Sequence, residues 1–427
     1  MDVSQYIEGS YLFYLDEDHF RPIIPENSLK LSEIEITPDL IGLKKGEIMN
    51  FFSETFNLKI TPEDVFVLSF SAARVSEITE EQALQILNDP KVKSAQNDFT
   101  IQNIRPKMQG EGPVEQNIRP KMQEEWQYDS IKHSSTNVEF VNPEGKVGNT
   151  TNKIWIVDTG VDGNHQDLNV ITDPEYSKSF VDTETNPLMD ILGHGTHCAG
   201  IAAGLAHHQS DPNVLGMNGV SPGAPIVSVK VINWYGEGVW SKVLDAMEHV
   251  ILKSSPGDII SMSFGDKLPG NANPNKCLPM PTSSTNNKRY LLNQIEILAS
   301  NGVYVVMASG NTGESSEGFF PGCFDFNDMV MTVGSIKTTY DFTTGDYNSS
   351  FSVFSSRGIP SIDFVAPGEF MFSTFPHNLY AVLSGTSMST AMVAGIIHAN
   401  GDFRMILIKL LGLHPATPIR LLKRNNQ

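Results

Sequence analysis

Cysteine is scarce in this chain of 427 residues: three occur, at Cys198, Cys277 and Cys323. Three thiols cannot build a disulfide scaffold and their spacing does not match a zinc cluster, so one bridge with one thiol left over is the most they allow. Basic side chains are also in deficit, 30 against 49 acidic, for a formal net charge of −19. Such a chain repels phosphate backbones and anionic lipid, so no nucleic-acid partner and no membrane partner is expected. No apolar run approaches the roughly 18 residues of a membrane-spanning helix. The start, Met1-Asp2-Val3-Ser4-Gln5, lacks a basic region, and the apolar stretch from Tyr11 to Leu15 runs straight into Asp16-Glu17-Asp18, so no signal peptide is expected either. What is present is 40% hydrophobic and 19% charged, a globular composition at a length that suits two or three domains.

Residues 1–101 read as a small α+β unit. Tyr11 to Leu15 and Val65 to Phe70 are aromatic and β-branched runs, hence strands. Between them, Leu40 to Phe56 carries apolar residues at helical spacing, and a second helix opens at Thr79-Glu80-Glu81 and is closed by Pro90. Next comes a repeat: Gln102-Asn103-Ile104-Arg105-Pro106-Lys107-Met108-Gln109 recurs as Gln116 to Gln123, fourteen residues on, with Gly110-Glu111-Gly112-Pro113 between the copies. A Gly/Pro-interrupted segment of this kind cannot build a core, and residues 102–125 read as an exposed linker. From 126 to 427 apolar strands alternate with helices. The runs ending at Val157, Val231, Ser263, Met307 and Gly334 are continuous, as expected of strands covered on both faces, and helical stretches follow at Gly195 to Ala206, Trp240 to Ile251 and Leu291 to Asn301. That alternation predicts a parallel α/β sheet, with its chemistry at the carboxyl ends of the strands.

Three segments stand where that rule puts function. The strand Ile154 to Val157 delivers Asp158 at its tip; Gly193-His194-Gly195 sets a histidine between glycines at a helix start; Ser384-Gly385-Thr386-Ser387 sets Ser387 at another helix N-terminus. Serine needs a neighbouring base, for which His194 is the candidate. A buried Asp158 would fix the imidazole tautomer and stabilise the imidazolium. The developing oxyanion needs donors, and the Asn311 amide, just past another strand tip, can supply one beside the Ser387 N–H.

The order Asp, His, Ser and the segments IWIVDTGVDGNH (Ile154 to His165), HGTHCAG (His194 to Gly200) and GTSMSTAMVAG (Gly385 to Gly395) resemble the motifs of subtilisin-like serine proteases, closest to the proteinase K branch. The resemblance covers about residue 126 to the end. It implies an α/β fold with a seven-stranded parallel sheet and helices on both faces, and an endopeptidase with Asp158, His194 and Ser387 as catalytic residues and Asn311 in the oxyanion hole. Gly236, Gly238 and Trp240 would lie along the edge that takes the substrate by strand addition, with Ser263, Phe264 and Gly265 as the opposite wall of the primary pocket. Residues 1–101 resemble the family's inhibitory prodomain, a ferredoxin-like module that chaperones folding, inhibits in cis and is cleaved off, here between Gln109 and Trp126. Polypeptides are the implied substrates, no cofactor is required, and the chain is expected to act as a monomer. Secretion is implied by the family, although no signal peptide is visible. Asp167 matches a calcium position in some members, with Asp211, Asn213 and Asn218 as partner oxygens.

Other features read as structural: His197 as a hydrogen-bonded core residue, and Cys198 as a buried thiol facing helix packing. Cys277 and Cys323 are left open between free thiols and a bridge. Phe319 and Phe320 fall near the pocket floor, which leaves a narrow and a broad pocket both open. The family's proline three residues after the motif methionine is Ala391 here, and Asn400-Gly401 interrupts the final helix. These departures support the alternative of an impaired pseudoprotease that binds peptides without cutting them.

Overall fold

The computed structural model describes residues 6–24, 30–31, 34–103, 107–108, 128–129, 134–141, 147–207, 215–267, 277, 286–341, 346–358 and 362–401. The processing region expected at 109–126 and the tail beyond Gly401 lie outside the described residues. The chain divides into two compact units. One comprises Met1–Ile101, Glu237–Ser254 and Leu278–Gly302; the other comprises Gln102–Gly236, Ser255–Cys277 and Val303–Gln427.

The first hundred residues run β1 (Tyr6–Leu15), α1 (Pro38–Phe56), β2 (Val65–Phe66), β3 (Ala72–Val75), α2 (Glu80–Leu87) and β4 (Val92–Asn103). The strands pair antiparallel in the order β4-β1-β3-β2, the ferredoxin-like arrangement expected from the resemblance. Both helices start where side chains can satisfy their free N–H groups. Thr37 accepts from Leu40 N at 3.2 Å with Pro38 beginning the helix, and Thr79 and Gln82 form a reciprocal capping box. The apolar run from Val65 to Phe70, expected as one strand, pairs in the sheet only as far as Phe66. The carbonyls of Val67 and Leu68 accept instead from Ile23 and Ile24, so the run stays buried off the sheet.

The remaining elements are β5 (Lys107–Met108), β6 (Tyr128–Asp129), β7 (Ser134–Ser135), α3 (Thr136–Val141), β8 (Ile154–Asp158), β9 (Lys178–Ser179) and α4 (His194–Ala203). Then come β10 (Ile226–Lys230), β11 (Glu237–Val239), α5 (Trp240–Lys253), β12 (Ile259–Met262), β13 (Phe264–Lys267), α6 (Asn286–Ser300) and β14 (Tyr304–Ala308). The last are β15 (Phe319–Phe320), β16 (Val330–Asp341), β17 (Asp346–Phe351), β18 (Phe364–Pro367), β19 (Met371–Phe375), β20 (Leu379–Ser384) and α7 (Thr386–Asn400).

In the first unit, β11 pairs with β4, and α5 and α6 pack with the ferredoxin-like module. Tyr290 of α6 stacks on Tyr14 and Phe70, with ring centroids 4.6 and 4.2 Å away. Arg74, buried, meets Asp245 of α5 at 2.8 Å, and the Leu68 N–H donates to Glu248 Oε1 at 3.2 Å. Burial drives the Asp245 carboxyl up to about 6 against the opposing pull of Arg74. It drives Glu248 further, to about 8, against the attraction of Lys45 and with the help of the neighbouring Asp245 charge. A carboxyl that binds its proton more tightly in the folded state than in the unfolded one costs nothing below the unfolded value. It costs progressively more as pH rises toward the folded value. This unit is therefore expected to lose stability as pH rises from about 4 to about 8. Glu248→Gln keeps an acceptor for Leu68 but cannot ionise, so it should flatten the profile. Hydrogen exchange of residues 65–75, corrected for intrinsic rate at each pH, measures the difference; equal slopes in the two proteins would reject the assignment.

The second unit is built on a sheet in the order β17-β16-β14-β12-β8-β10-β9, with β18 beside β16. Seven of these eight strands are parallel, as expected; β17 is antiparallel and was not anticipated. The apolar run ending at Gly334 continues through Asp341 because, past Ile336, exposed Lys337 and buried Thr338 begin an alternation that suits a hairpin partner. The core of this unit includes both α4 and α7. Every residue of α4 is buried, as is α7 from Thr386 to Ala399. Ala391 lies within unbroken helix, so the missing proline leaves α7 intact, and Gly401 in left-handed conformation (φ 65°) ends it. Cys277 and Cys323 are joined by a disulfide, which resolves the alternative left open above, and Cys198 is the free, buried cysteine.

Candidate active site

β8 ends in Asp158, buried among parallel neighbours, and α4 begins one turn from it. Gly193, at φ 86°, turns the chain into the helix, and at Gly195 a side chain would meet the Gly160 carbonyl at 2.1 Å. These two glycines bring His194 against the strand tip. Its Nδ1 lies 2.7 Å from Asp158 Oδ1, which also accepts from Thr159 N at 2.7 Å. A carboxylate at Nδ1 requires the proton there and leaves Nε2 as the acceptor. That Nε2 is buried and has no hydrogen-bond partner among the described residues. Burial by itself lowers the His194 pKa, but the charge and hydrogen bond of Asp158, with the charge of Asp190 behind it, outweigh burial and raise it.

Ser387 stands in the first turn of α7, fully buried, its Oγ donating to the Ser263 carbonyl at 3.4 Å. That hydroxyl makes no hydrogen bond to His194 Nε2 in this conformation. The two residues share a neighbour in Cys198. Its sulfur lies 3.9 Å from the Ser387 carbonyl oxygen, and it clusters with ligand atoms of Asp158 and His194 all within 4.8 Å of one another. Cys198 is therefore buried as expected but placed beside the Asp–His pair rather than away from it. Burial, with the Asp158 charge, holds its thiol protonated, and Asp158 Oδ1 is committed to His194, so the trio is poorly suited to a cation. Asn311 Oδ1 accepts from both the N–H and the hydroxyl of Thr386, at 2.9 and 3.0 Å. With its oxygen so fixed, the amide NH₂ is what Asn311 has to offer on the Ser387 side.

Sequence reasoning missed what holds these groups. Buried Asp190 accepts from Gly193 N, Thr196 N, Thr196 Oγ1 and Thr159 Oγ1, all within 2.9 Å, and Thr159 Oγ1 in turn accepts from Gly195 N at 2.9 Å. One carboxylate thus ties the start of α4 to the end of β8. Its only mark in the sequence is an Asp three residues before the Gly-His pair. Lys230, opposite Asp158 in β10, is buried and donates to the Thr159 carbonyl while pairing with Glu184 at 2.8 Å. His197 is structural, as expected: its Nε2 faces the carbonyls of Met371 and Ala381, and burial lowers its pKa to about 3, so it is neutral.

The substrate-edge residues divide between the units. Gly236 closes a turn with the Asn233 carbonyl, Gly238 lies in β11, and Trp240 opens α5 fully buried. Ser263 and the β13 residues Phe264 and Gly265 lie beside Ser387. Here the Phe319 ring occupies the slot between two backbone walls. A side chain at Gly265 would lie 2.6 Å from one end of the ring, and one at Gly310 would lie 2.8 Å from the other. The Asp167 carboxylate accepts from His207 N, Met217 N and the Tyr380 hydroxyl at 2.7–2.8 Å. Asn218 is spent on Ala206 N, and Asp211 and Asn213 lie outside the described residues.

The subtilase family model matches residues 149–399, well over half of the chain. The chain belongs to the subtilase family. It is 35% identical over 246 residues to Subtilisin E of Bacillus subtilis (strain 168), across 57% of this chain and 53% of that protein. To Thermitase of Thermoactinomyces vulgaris it is 33% identical over 246 residues, across 57% of this chain and 72% of that one. It thus spans about half the length of the curated subtilisins it matches. A solved cold adapted subtilisin-like serine proteinase superposes with a TM-score of 0.46 at 24% identity, over 66% of this subtilase and 90% of that chain.

Proposed function

We propose that this subtilase is a serine endopeptidase that hydrolyses polypeptides through an acyl-enzyme on Ser387, and that it is made as a zymogen whose N-terminal module is removed by its own active site. The observation that carries the reading is the buried imidazole of His194, held at Nδ1 by Asp158 and left with a free acceptor at Nε2. Ser387 rotates toward that acceptor and gives up its proton as Oγ attacks the scissile carbonyl. The oxyanion forms at the N-terminus of α7, where the helix dipole and the Asn311 amide stabilise it. His194 then protonates the leaving amine, and water reverses the sequence to free the enzyme. The disulfide accords with an oxidising, extracytoplasmic setting and supports secretion.

Labelling with a fluorophosphonate tests the reading directly. The adduct should map to Ser387 and casein hydrolysis should stop with it. A purified, folded chain that neither labels nor cleaves casein is the pseudoprotease instead.

The same site implies a preference. With Phe319 filling the slot between Gly265 and Gly310, the residue on the acyl side of the cut should be small. Phe319→Gly should open the slot and raise kcat/KM for a phenylalanyl p-nitroanilide over an alanyl one by about 10–200-fold, the range that added apolar pocket volume supplies. An unchanged ratio would show that the ring is not in the substrate's way.

A further inference from the structure

A buried cation beside the strand tip of Asp158 has no step in the chemistry just described. The Lys230 side chain is fully buried, and its ammonium donates to the carbonyl of Thr159, whose own N–H holds Asp158 Oδ1. Its other partner is Glu184, with Oε2 at 2.8 Å. The second oxygen of that carboxylate, Oε1, accepts from the Trp234 N–H at 2.8 Å. One carboxylate and one ammonium thus reach from the end of β8 to a turn beyond β10. Both ends of this link are fixed. The Asp158 carbonyl accepts from Val231 N and Ile232 N at 2.9 and 3.2 Å. The Glu184 backbone donates to the Val181 carbonyl at 3.0 Å and accepts from the Ser179 hydroxyl at 2.6 Å.

The turn runs from Asn233 to Gly236. Gly236 N closes it on the Asn233 carbonyl, and Asn233 Oδ1 accepts from Tyr235 N, both at 2.9 Å. Trp234 and Tyr235 are 47% and 60% exposed, so their rings bury little, and the link from the turn to the strand tip runs through Glu184. A buried ion pair is weak evidence for stability, because desolvation offsets the attraction of its charges. What this pair supplies is placement: two oxygens of one side chain set the turn and the ammonium in fixed relation, and charge strengthens both contacts. Gly236, which closes the turn, is the first of the residues expected along the substrate's edge.

We infer that Glu184 is a positioning residue for the substrate, tying the Asn233–Gly236 turn through Lys230 to the strand tip that carries Asp158. The inference rests on the protease reading above. An extended peptide then meets an edge already in place and loses no binding free energy to ordering it. A substrate too short to reach the turn gains much less. His194 keeps its own supports in Asp158 and Asp190, so the contribution of Glu184 falls on binding.

The Trp234 N–H can be removed without touching the ion pair. Trp234 is the second residue of the turn, where proline is favoured, so Trp234→Pro suits the backbone and lacks the donor. Trp234→Ala, which also loses the indole but keeps the N–H, is its control. For a tetrapeptide anilide, kcat/KM of Trp234→Pro should lie about tenfold below that of Trp234→Ala, the low end of what a hydrogen bond to a charged group supplies. The difference should lie in KM and should shrink for a single-residue ester. Glu184→Gln should follow the proline variant, because it offers one oxygen where the carboxylate offers two, and it decides the matter if the proline chain does not fold. Active-site titration with a fluorophosphonate corrects each rate for enzyme content. Proline and alanine variants that match, or losses equal for both substrates or confined to kcat, overturn this inference and leave the protease intact. A wild-type chain that neither labels nor cleaves either substrate overturns both.

Discussion

Ser387→Ala is expected to lower kcat for peptide hydrolysis by about 10⁶-fold, the magnitude known for the corresponding serine in subtilisin rather than one obtained from this chain. The fall should be almost entirely in kcat, because the main-chain pairing edges that bind substrate do not include the hydroxyl. His194→Ala should cost about as much. The double variant should be no worse than either, since a nucleophile without its base and a base without its nucleophile are equally idle. Steady-state kinetics on one peptide anilide, with active-site titration to correct for enzyme content, decides the matter. Losses that multiply in the double variant would mean that the two residues act independently.

Asp158→Asn is the second large effect, a fall of about 10⁴-fold in kcat with little change in fold. An asparagine side chain offers either an oxygen or an NH₂ to His194 Nδ1, but no charge to balance the imidazolium. The pH dependence gives a signature that mere structural damage would not. His194 must be neutral to act as base, so activity rises as pH climbs through its pKa. Asp158 is the first of the influences that raise that pKa; without it, burial dominates and pulls the value down. The acid limb of the kcat/KM profile should therefore move to lower pH in the variant. A limb that stays put, or moves upward, would mean that Asp158 is not what sets the imidazole's proton affinity.

Much of this site was legible because its chemistry sits at element boundaries that announce themselves. An apolar run ending in Asp158, a histidine fenced by glycines, and a Gly-Thr-Ser before small helical residues each tie a reactive group to a local backbone signal. The α+β make-up of the first hundred residues was legible from short apolar runs and a helix opening at Thr79, whereas the ferredoxin-like order came only from the family resemblance. What escaped was set by distant partners. Asp190 is an ordinary loop aspartate until Gly193, Thr196 and Thr159 are folded around it. The partners of Asp167 were likewise hidden: Tyr380 arrives from 213 residues away along with two backbone N–H groups. Whether Phe319 fills a pocket or merely floors it depends on where Gly265 and Gly310 lie, and no periodicity encodes that.

The burial of α4 and α7 has a consequence for the lifetime of the molecule. A protease at working concentration is surrounded by copies of itself, and any backbone that opens to solvent becomes a substrate. Helices with no wet face cannot fray outward one turn at a time, so the segments that carry His194 and Ser387 open only when the whole unit does. Self-digestion should therefore begin elsewhere, and cleaved molecules should keep their activity through the first nicks. Inactivation in storage should then follow the global unfolding rate rather than the rate at which loops are cut.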